Sequence, residues 1–311
     1  MRAVRNTPNG PAVVDVTEPS GANRVLVDVV ASGICSSDLL GIDMGPEPVT
    51  LGHEFSARAP SGEIVAVLPN VACGACDQCL EGRVQLCRGL RPTIHGFFCD
   101  GGMAEAVAVA PSSLVPLPQT VDGRDACLVE PLAVALHTVN RLALQPGAQV
   151  LVVGAGAIGL CCVAVLRDLG IESAVEARHE HQRRAAEVLG AQSAKASEYD
   201  AVIEAAGTQS AFDTAVARAR PGSSIALAAT YPTGVRFGIE VSLAEVSLVP
   251  AFTYGHHHGS REFDDAASLL GRIPELADAL ITHRFPLEDA PEAFRVASDR
   301  RSGAIKVVLE P

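Results

Sequence analysis

Cys73, Cys76, Cys79 and Cys87 lie in the stretch CGACDQCLEGRVQLC, spaced C-x2-C-x2-C-x7-C. Four thiolates so close together repel one another unless a cation gathers them. Zinc takes four sulfur ligands tetrahedrally, and such a site is closed to substrate. The stretch is therefore predicted to be a structural zinc lobe. A second constellation is scattered along the chain. Gly33-Ile34-Cys35-Ser36-Ser37-Asp38 supplies a thiolate with a hydroxyl two residues on, Gly52-His53-Glu54 an imidazole and a carboxylate, and Glu130 in LVEPLAVALHTV a second carboxylate. Each fragment alone is a weak signal. Together, one sulfur, one nitrogen and one or two oxygens would hold an ion and leave one position free, which distinguishes catalytic from structural zinc. Two zinc ions per chain are expected.

A third chemical signal is Gly154-Ala155-Gly156-Ala157-Ile158-Gly159. It follows the apolar run Val150–Val153 and opens a helical pattern, as a dinucleotide loop requires. Gly154 would make the tight turn, Gly156 would let backbone amides approach a pyrophosphate, and Gly159 would allow close helix–sheet packing. Ala157 and Ile158 begin the helix whose N-terminus faces the phosphates. An acid about twenty residues on would hold the adenine ribose 2′-hydroxyl of NAD. Here the chain reads Val175-Glu176-Ala177-Arg178-His179, and counting back from RRAAEVLGA puts Ala177 at the acid's place. A missing carboxylate followed by Arg178 and His179, with Arg183 in the next helix, suits a 2′-phosphate and favours NADP. Were the strand shifted by one residue, Glu176 would be the acid and NAD the cofactor.

The elements that must position these groups fall into three stretches. Residues 1 to about 128 are rich in Val, Gly and Pro, and 24–32, 63–69 and 103–110 read as short strands joined by turns. This β-rich unit carries both cysteine-bearing loops. From 129 to 251 helix-like and strand-like runs alternate (131–144, 150–154, 183–190, 200–207, 211–219, 224–230), the pattern of a parallel sheet covered on both faces. After about 252 come two helices, 262–273 and 287–298, and a closing strand, AIKVVLE. Residues 252–311 are expected to return to the first unit.

Composition narrows the function. At 311 residues two domains are the natural expectation, and 48% hydrophobic with 19% charged residues is globular. A net charge of -12 disfavours nucleic acid, whose recognition needs clustered Lys and Arg. No long unbroken apolar run suggests a membrane span, and MRAVRNTPNGPAVVDV has no apolar signal core, so a cytoplasmic protein with reduced thiols is expected. Cys99, Cys127, Cys161 and Cys162 lie outside the motifs and read as small buried hydrophobes.

Taken together, GICSSDL, GHEF, the four-cysteine lobe, CDGGMAEAV, LVEPLAVALH, VLVVGAGAIGL and GAIKVVLEP resemble the zinc-dependent medium-chain alcohol dehydrogenases, in particular their polyol and threonine dehydrogenase-like branch. The resemblance spans nearly the whole chain. It implies an α/β protein in which a Rossmann domain with a doubly wound parallel sheet interrupts a GroES-like catalytic domain, with the active site between them. It implies that Cys35, His53 and Glu130 are ligands of the catalytic zinc, and that Glu54 ligates directly or exchanges with water. Ser37 would take the alcohol proton, and Asp38 would orient the histidine. The implied reaction transfers hydride between an alcohol or polyol, or the matching carbonyl compound, and the nicotinamide. The implied assembly is a homodimer or homotetramer. A carbonyl reductase running mainly in the reductive direction is the alternative within this chemistry. A non-enzymatic, zinc-stabilised nucleotide-binding protein is the alternative outside it, disfavoured by Cys35, Ser37, His53 and Glu130.

Several positions depart from the family pattern. Leu40 stands where many members carry the histidine that ends the proton relay, and the segment between GHEF and the cysteine lobe is short. Phe97 and Phe98 are candidates either for lining the substrate pocket or for the β-domain core. His256, His257 and His258 form a run at the domain crossover, read as a solvated or substrate-adjacent loop. His95 and His137 are read as structural histidines.

Overall fold

The computed structural model describes residues 1–45, 48–195, 197–299 and 301–311. Near the N-terminus, β1 (Arg2–Thr7) and β2 (Gly10–Asp15) form a hairpin. Then follow β3 (Val25–Ile34), α1 (Ser36–Asp43), β4 (Glu54–Arg58), β5 (Ile64–Val67), the short α2 (Asp77–Leu80), β6 (Ala106–Val109) and β7 (Leu114–Pro116). The Val-rich runs alternate buried and exposed positions only in part. Strands β4 and β5 are buried along nearly their whole length, because both faces are covered.

The second unit begins at α3 (Val129–Arg141) and continues through β8 (Val150–Val153), α4 (Ala157–Asp168), β9 (Ser173–Glu176), α5 (Glu180–Val188), β10 (Gln192–Ser193), β11 (Tyr199–Glu204), α6 (Gln209–Arg218), β12 (Ala219–Leu227), α7 (Ile239–Leu243) and β13 (Ser247–Pro250). Its six strands pair in parallel in the order β10-β9-β8-β11-β12-β13, the doubly wound order with its switch point between β8 and β11. The chain then makes a small hairpin, β14 (His256–His257) and β15 (Ser260–Arg261). It ends with α8 (Glu262–Leu270), α9 (Glu275–Leu280), β16 (Ile281–Pro286), α10 (Ala290–Ser298) and β17 (Lys306–Glu310).

The last strands join the first sheet, whose order is β16-β17-β3-β4-β5-β7, with β6 also pairing with β3. This topology brings distant motifs together. β17 pairs antiparallel with β3, opposing Val308 to Gly33 and Val307 to Ile34, and β3 pairs with β4, opposing Gly33 to Glu54. The ends of GICSSD, GHEF and GAIKVV thereby lie on three neighbouring strands. The largest apolar cluster runs from Leu128, Leu132 and Val139 of α3 through Leu160 and Leu166 of α4 to Phe263 and Leu269 of α8, so α3 is the spine between the two sheets.

Candidate active site

The four lobe cysteines converge, and their ligand atoms lie within 4.8 Å of one another. A zinc–sulfur bond of about 2.3 Å places tetrahedral sulfurs roughly 3.8 Å apart. The Sγ atoms of Cys76 and Cys79 are 3.6 Å apart, and those of Cys73 and Cys79 3.9 Å. Backbone N–H groups of Cys73 and Gly89 donate to Cys87 Sγ at 3.2 and 3.3 Å, as they would to a thiolate. The backbone N–H groups of Arg88 and Cys79 pull the Cys76 thiol down to about 6, whereas burial and the neighbouring thiols push Cys79 up to about 12. The lobe thus has the shape for four sulfurs on one ion. All nine cysteines are free of disulfides.

The second cluster comprises Cys35, His53 and Glu54, again with ligand atoms within 4.8 Å. Cys35 follows β3 directly and is the N-cap of α1, whose Asp38 accepts the Cys35 backbone N–H through Oδ2 at 2.9 Å. The other Asp38 oxygen faces His53 Nδ1 at 3.4 Å, leaving Nε2 directed toward Cys35 and Ser37; Ser37 Oγ is 3.4 Å from that nitrogen. Burial acts to lower the His53 pKa, but Asp38 and Cys35 raise it well above the ordinary imidazole value. Asp38 and Cys35 therefore flank an imidazole that is drawn toward its cationic form. This donor set suits a divalent cation with soft and borderline ligands. Gly52 holds His53 in place: its φ is +95°, and a Cβ there would lie 2.6 Å from Met103 Cγ.

Lys306, to which the sequence reading gave no role, shares this site. Its Nζ donates to both Glu54 oxygens at 2.8 and 2.6 Å and to the Ile34 carbonyl at 3.1 Å, with 3% of its surface exposed. Burial alone would lower the lysine pKa, but Glu54 and Cys35 raise it, so it stays charged. The detectable signal was a charged residue within the apolar run AIKVVL. Glycine at 33 is required here, because a Cβ would come within 2.3 Å of Glu54 Oε2.

Glu130, in the first turn of α3, is buried beside this cluster but outside its tight triad. Burial pushes its carboxyl up to about 7, opposed by His53 and Lys306 and reinforced by Glu54. The Phe97 ring packs on His53 with centroids 4.9 Å apart, whereas Phe98 turns outward under the Arg91 guanidinium, 5.0 Å from the ring centre. Leu40 is half-buried in α1. His95 is held by the Asp100 carbonyl and His137 by Glu262, so both have structural partners. The His256–His258 run forms the small hairpin and joins no metal-binding group among the described residues.

At the dinucleotide loop, Gly154 has φ +100° and abuts Ala206, and a Cβ on Gly159 would strike the Gly154 carbonyl at 1.9 Å. Gly156 caps α4 without a side-chain partner, and a Cβ there would meet open space. The N-terminal amides of α4 therefore face room for an anion. Glu176 is the last residue of β9 and points toward Arg218, at 3.9 Å. Ala177 follows it, and Arg178 is exposed. The Arg183 guanidinium is committed to Glu180 and to the carbonyls of Ala177 and Arg178. His179 stacks on His181.

Comparison with known proteins agrees along the whole chain. Residues 21–119 match the alcohol dehydrogenase GroES-like domain, and residues 124–310 match the glucose dehydrogenase C-terminus. L-galactonate-5-dehydrogenase of Escherichia coli (strain K12) is 30% identical over 308 residues, covering 88% of both proteins. Galactitol 1-phosphate 5-dehydrogenase of the same strain is 28% identical with 100% coverage of both. Among solved structures, a zinc-binding dehydrogenase from Sinorhizobium meliloti 1021 bound to NADP superposes with a TM-score of 0.88 at 29% identity, covering 100% of this chain and 99% of that one. An alcohol dehydrogenase from E. coli CFT073 complexed with NADH gives 0.87 at 26%, with the same coverage. With these matches spanning both units, the chain belongs to the zinc-type medium-chain alcohol dehydrogenase family of polyol dehydrogenases and is an NAD(P)-dependent oxidoreductase.

Proposed function

We propose that the chain interconverts a secondary alcohol of a polyol and the matching ketone, using NADP(H) and one catalytic zinc, with a second zinc in the cysteine lobe. The convergence of Cys35, His53 and Glu54 from separate motifs onto one point carries this reading. Sugar-acid and sugar-alcohol dehydrogenases among the relatives support the substrate class.

Cys35 and His53 would hold the metal, with a carboxylate from Glu54 or Glu130 as third ligand. Bound there, the ion supplies Lewis-acid stabilisation of the alcohol oxygen as it loses its proton. Ser37 Oγ, beside His53 Nε2, takes that proton. With Leu40 unable to pass it on, the proton leaves by water or the cofactor ribose. Asp38 fixes the imidazole so that Nε2 points into the pocket. Phe97, packed against His53 at a tilt of 40°, covers one side of the imidazole. Gly154, Gly156 and Gly159, with the amides of Ala157 and Ile158, hold the pyrophosphate.

Ala177 at the acid's place, the exposed Arg178 and the turning of Glu176 toward Arg218 favour the 2′-phosphate of NADP. His179 and Arg183 shape that loop. We infer further that a second copy of the chain covers the open edge strand β13, where Phe237, Ile239, Leu243 and Phe252 are exposed. No helix among the described residues is long and apolar enough to cross a membrane.

The test is a panel of polyols and ketoses assayed with both cofactors on zinc-replete protein. Polyol oxidation with NADP is the expected result, and Ala177→Asp with Arg178→Ala is expected to shift preference to NAD. Inactivity across the panel with either cofactor would overturn the reading. Light scattering of the same protein tests the dimer.

A further inference from the structure

The loop that leads from β13 back to the first sheet holds two adjacent anomalies. Thr253 has φ +51°, a left-handed conformation that a β-branched residue rarely adopts, and its hydroxyl is buried with no partner. Tyr254 is 3% exposed, and its hydroxyl too is buried without a hydrogen bond. Both features cost stability, and such costs persist where surrounding contacts over-determine the conformation.

Those contacts come from Glu262, at the start of α8 and 1% exposed. Its Oε2 accepts the Gly255 backbone N–H at 2.7 Å and the His137 Nδ1–H at 2.8 Å, while Oε1 accepts from Asn140 Nδ2 at 2.8 Å. The Glu262 N–H returns a bond to the Gly255 carbonyl at 3.0 Å. Gly255 is pressed from the other side by Gln85 of the cysteine lobe, whose Oε1 would lie 2.2 Å from a Cβ there. His137 and Asn140 follow Glu130 on α3 by seven and ten residues, so all three lie near one face of that helix. The loop is thus tied to the very face that carries Glu130. Tyr254 is packed on Phe263, with ring centroids 5.4 Å apart, and lies in the same apolar cluster as Leu128, Val129 and Leu132, which flank Glu130, whose carboxylate acts on the Tyr254 hydroxyl.

We propose that Tyr254 is a positioning residue for the Glu130 carboxylate at the metal pocket, and that Glu262 sets Tyr254 in place by clamping Gly255 to α3. The buried Tyr254 hydroxyl, without another partner, is the donor available to hold the Glu130 carboxylate in one orientation. Glu262 uses both its oxygens on the clamp and has none left for chemistry. The proposal rests on the metal-site reading above.

The experiment compares the parent chain with Tyr254→Phe, Glu262→Ala and Glu262→Gln, in zinc-replete and cobalt-substituted forms. The cysteine lobe contributes a constant cobalt spectrum, so difference spectra report the Cys35–His53 site. In Tyr254→Phe, kcat is expected to fall about tenfold and metal affinity at that site by a similar factor. The cofactor KM should be unchanged, the difference spectrum displaced, and the melting temperature no lower than the parent's. Glu262→Ala should reproduce this spectrum. Glu262→Gln, which keeps an acceptor for Gly255, should restore most of the activity. Parent kcat and parent cobalt spectrum in Tyr254→Phe would overturn the inference, even if Glu262→Ala simply fails to fold. A cobalt-loaded parent that oxidises no alcohol would instead overturn the functional reading, before any variant is made.

Discussion

Replacing Lys306 by Met probes the most buried ion pair of the site. Met fills much of the lysine's volume but leaves Glu54 charged, 1% exposed and without its partner at 2.6 Å. Removing one member of a buried pair typically costs about 3–5 kcal/mol, because the remaining charge stays desolvated. The Ile34 carbonyl also loses its 3.1 Å donor, which places the effect toward the upper end of that range. In chelator-treated protein Lys306→Met is therefore expected to lose about 4 kcal/mol. Glu54→Gln alone should be comparably damaging, since it leaves the ammonium unpaired. The double variant should lose much less than the sum of the two, the signature of direct coupling. Added zinc should recover part of the Lys306→Met loss, because the freed carboxylate already lies within 4.8 Å of the Cys35 and His53 ligand atoms. Denaturant unfolding, with hydrogen exchange at the β17 amides to localise the change, measures all four proteins. A Lys306→Met protein within about 1 kcal/mol of the parent, the value for a solvated surface pair, would refute the reasoning.

Three further outcomes are expected. In metal-free protein Glu130 has its carboxyl raised to about 7 from 4.5, so the folded state holds a proton that the unfolded state has released between those values. Stability should fall as pH rises across that window, by roughly 3 kcal/mol for this group, and Glu130→Gln should flatten the profile in a pH series of melts. Gly52→Ala should destabilise by several kcal/mol or prevent folding, through both its left-handed φ and the contact with Met103; a soluble variant with parent stability would contradict this. Cys79→Ser should release the lobe's zinc and increase proteolysis at residues 73–89 while leaving the parallel sheet protected from exchange; retention of both ions would contradict it.

The alternation of strand and helix from 129 to 251 made the parallel sheet legible, because its central strands β8 and β11 are buried along nearly their whole length and glycines follow them. The edge strands β10 and β13 were not legible: at two and four residues, and largely exposed, they have no apolar pattern. β16, ITHRFP, was missed for a similar reason, since its pairing with β17 is dictated by tertiary contact rather than by periodicity. The convergence of the four cysteines could be read from spacing alone because they are local in the chain. The second cluster depended on resemblance to join Cys35 to His53, and sequence gave no hint that Glu54 would face Lys306, since that contact spans 252 positions and depends on strand order. Tyr254 and Glu262 were invisible for a related reason: their importance lies in a loop conformation and in the face of α3, neither of which a single residue type announces.

Metal content and turnover measured together on Cys35→Ser test most directly whether Cys35 and His53 hold the ion that performs the chemistry. The parent is expected to carry two zinc ions per chain and to reduce NADP in the presence of a polyol. Cys35→Ser should carry one, bind the cofactor as the parent does, and show no turnover. A Cys35→Ser protein that retains both ions, or that turns over at the parent rate with one, would contradict the assignment of the active site.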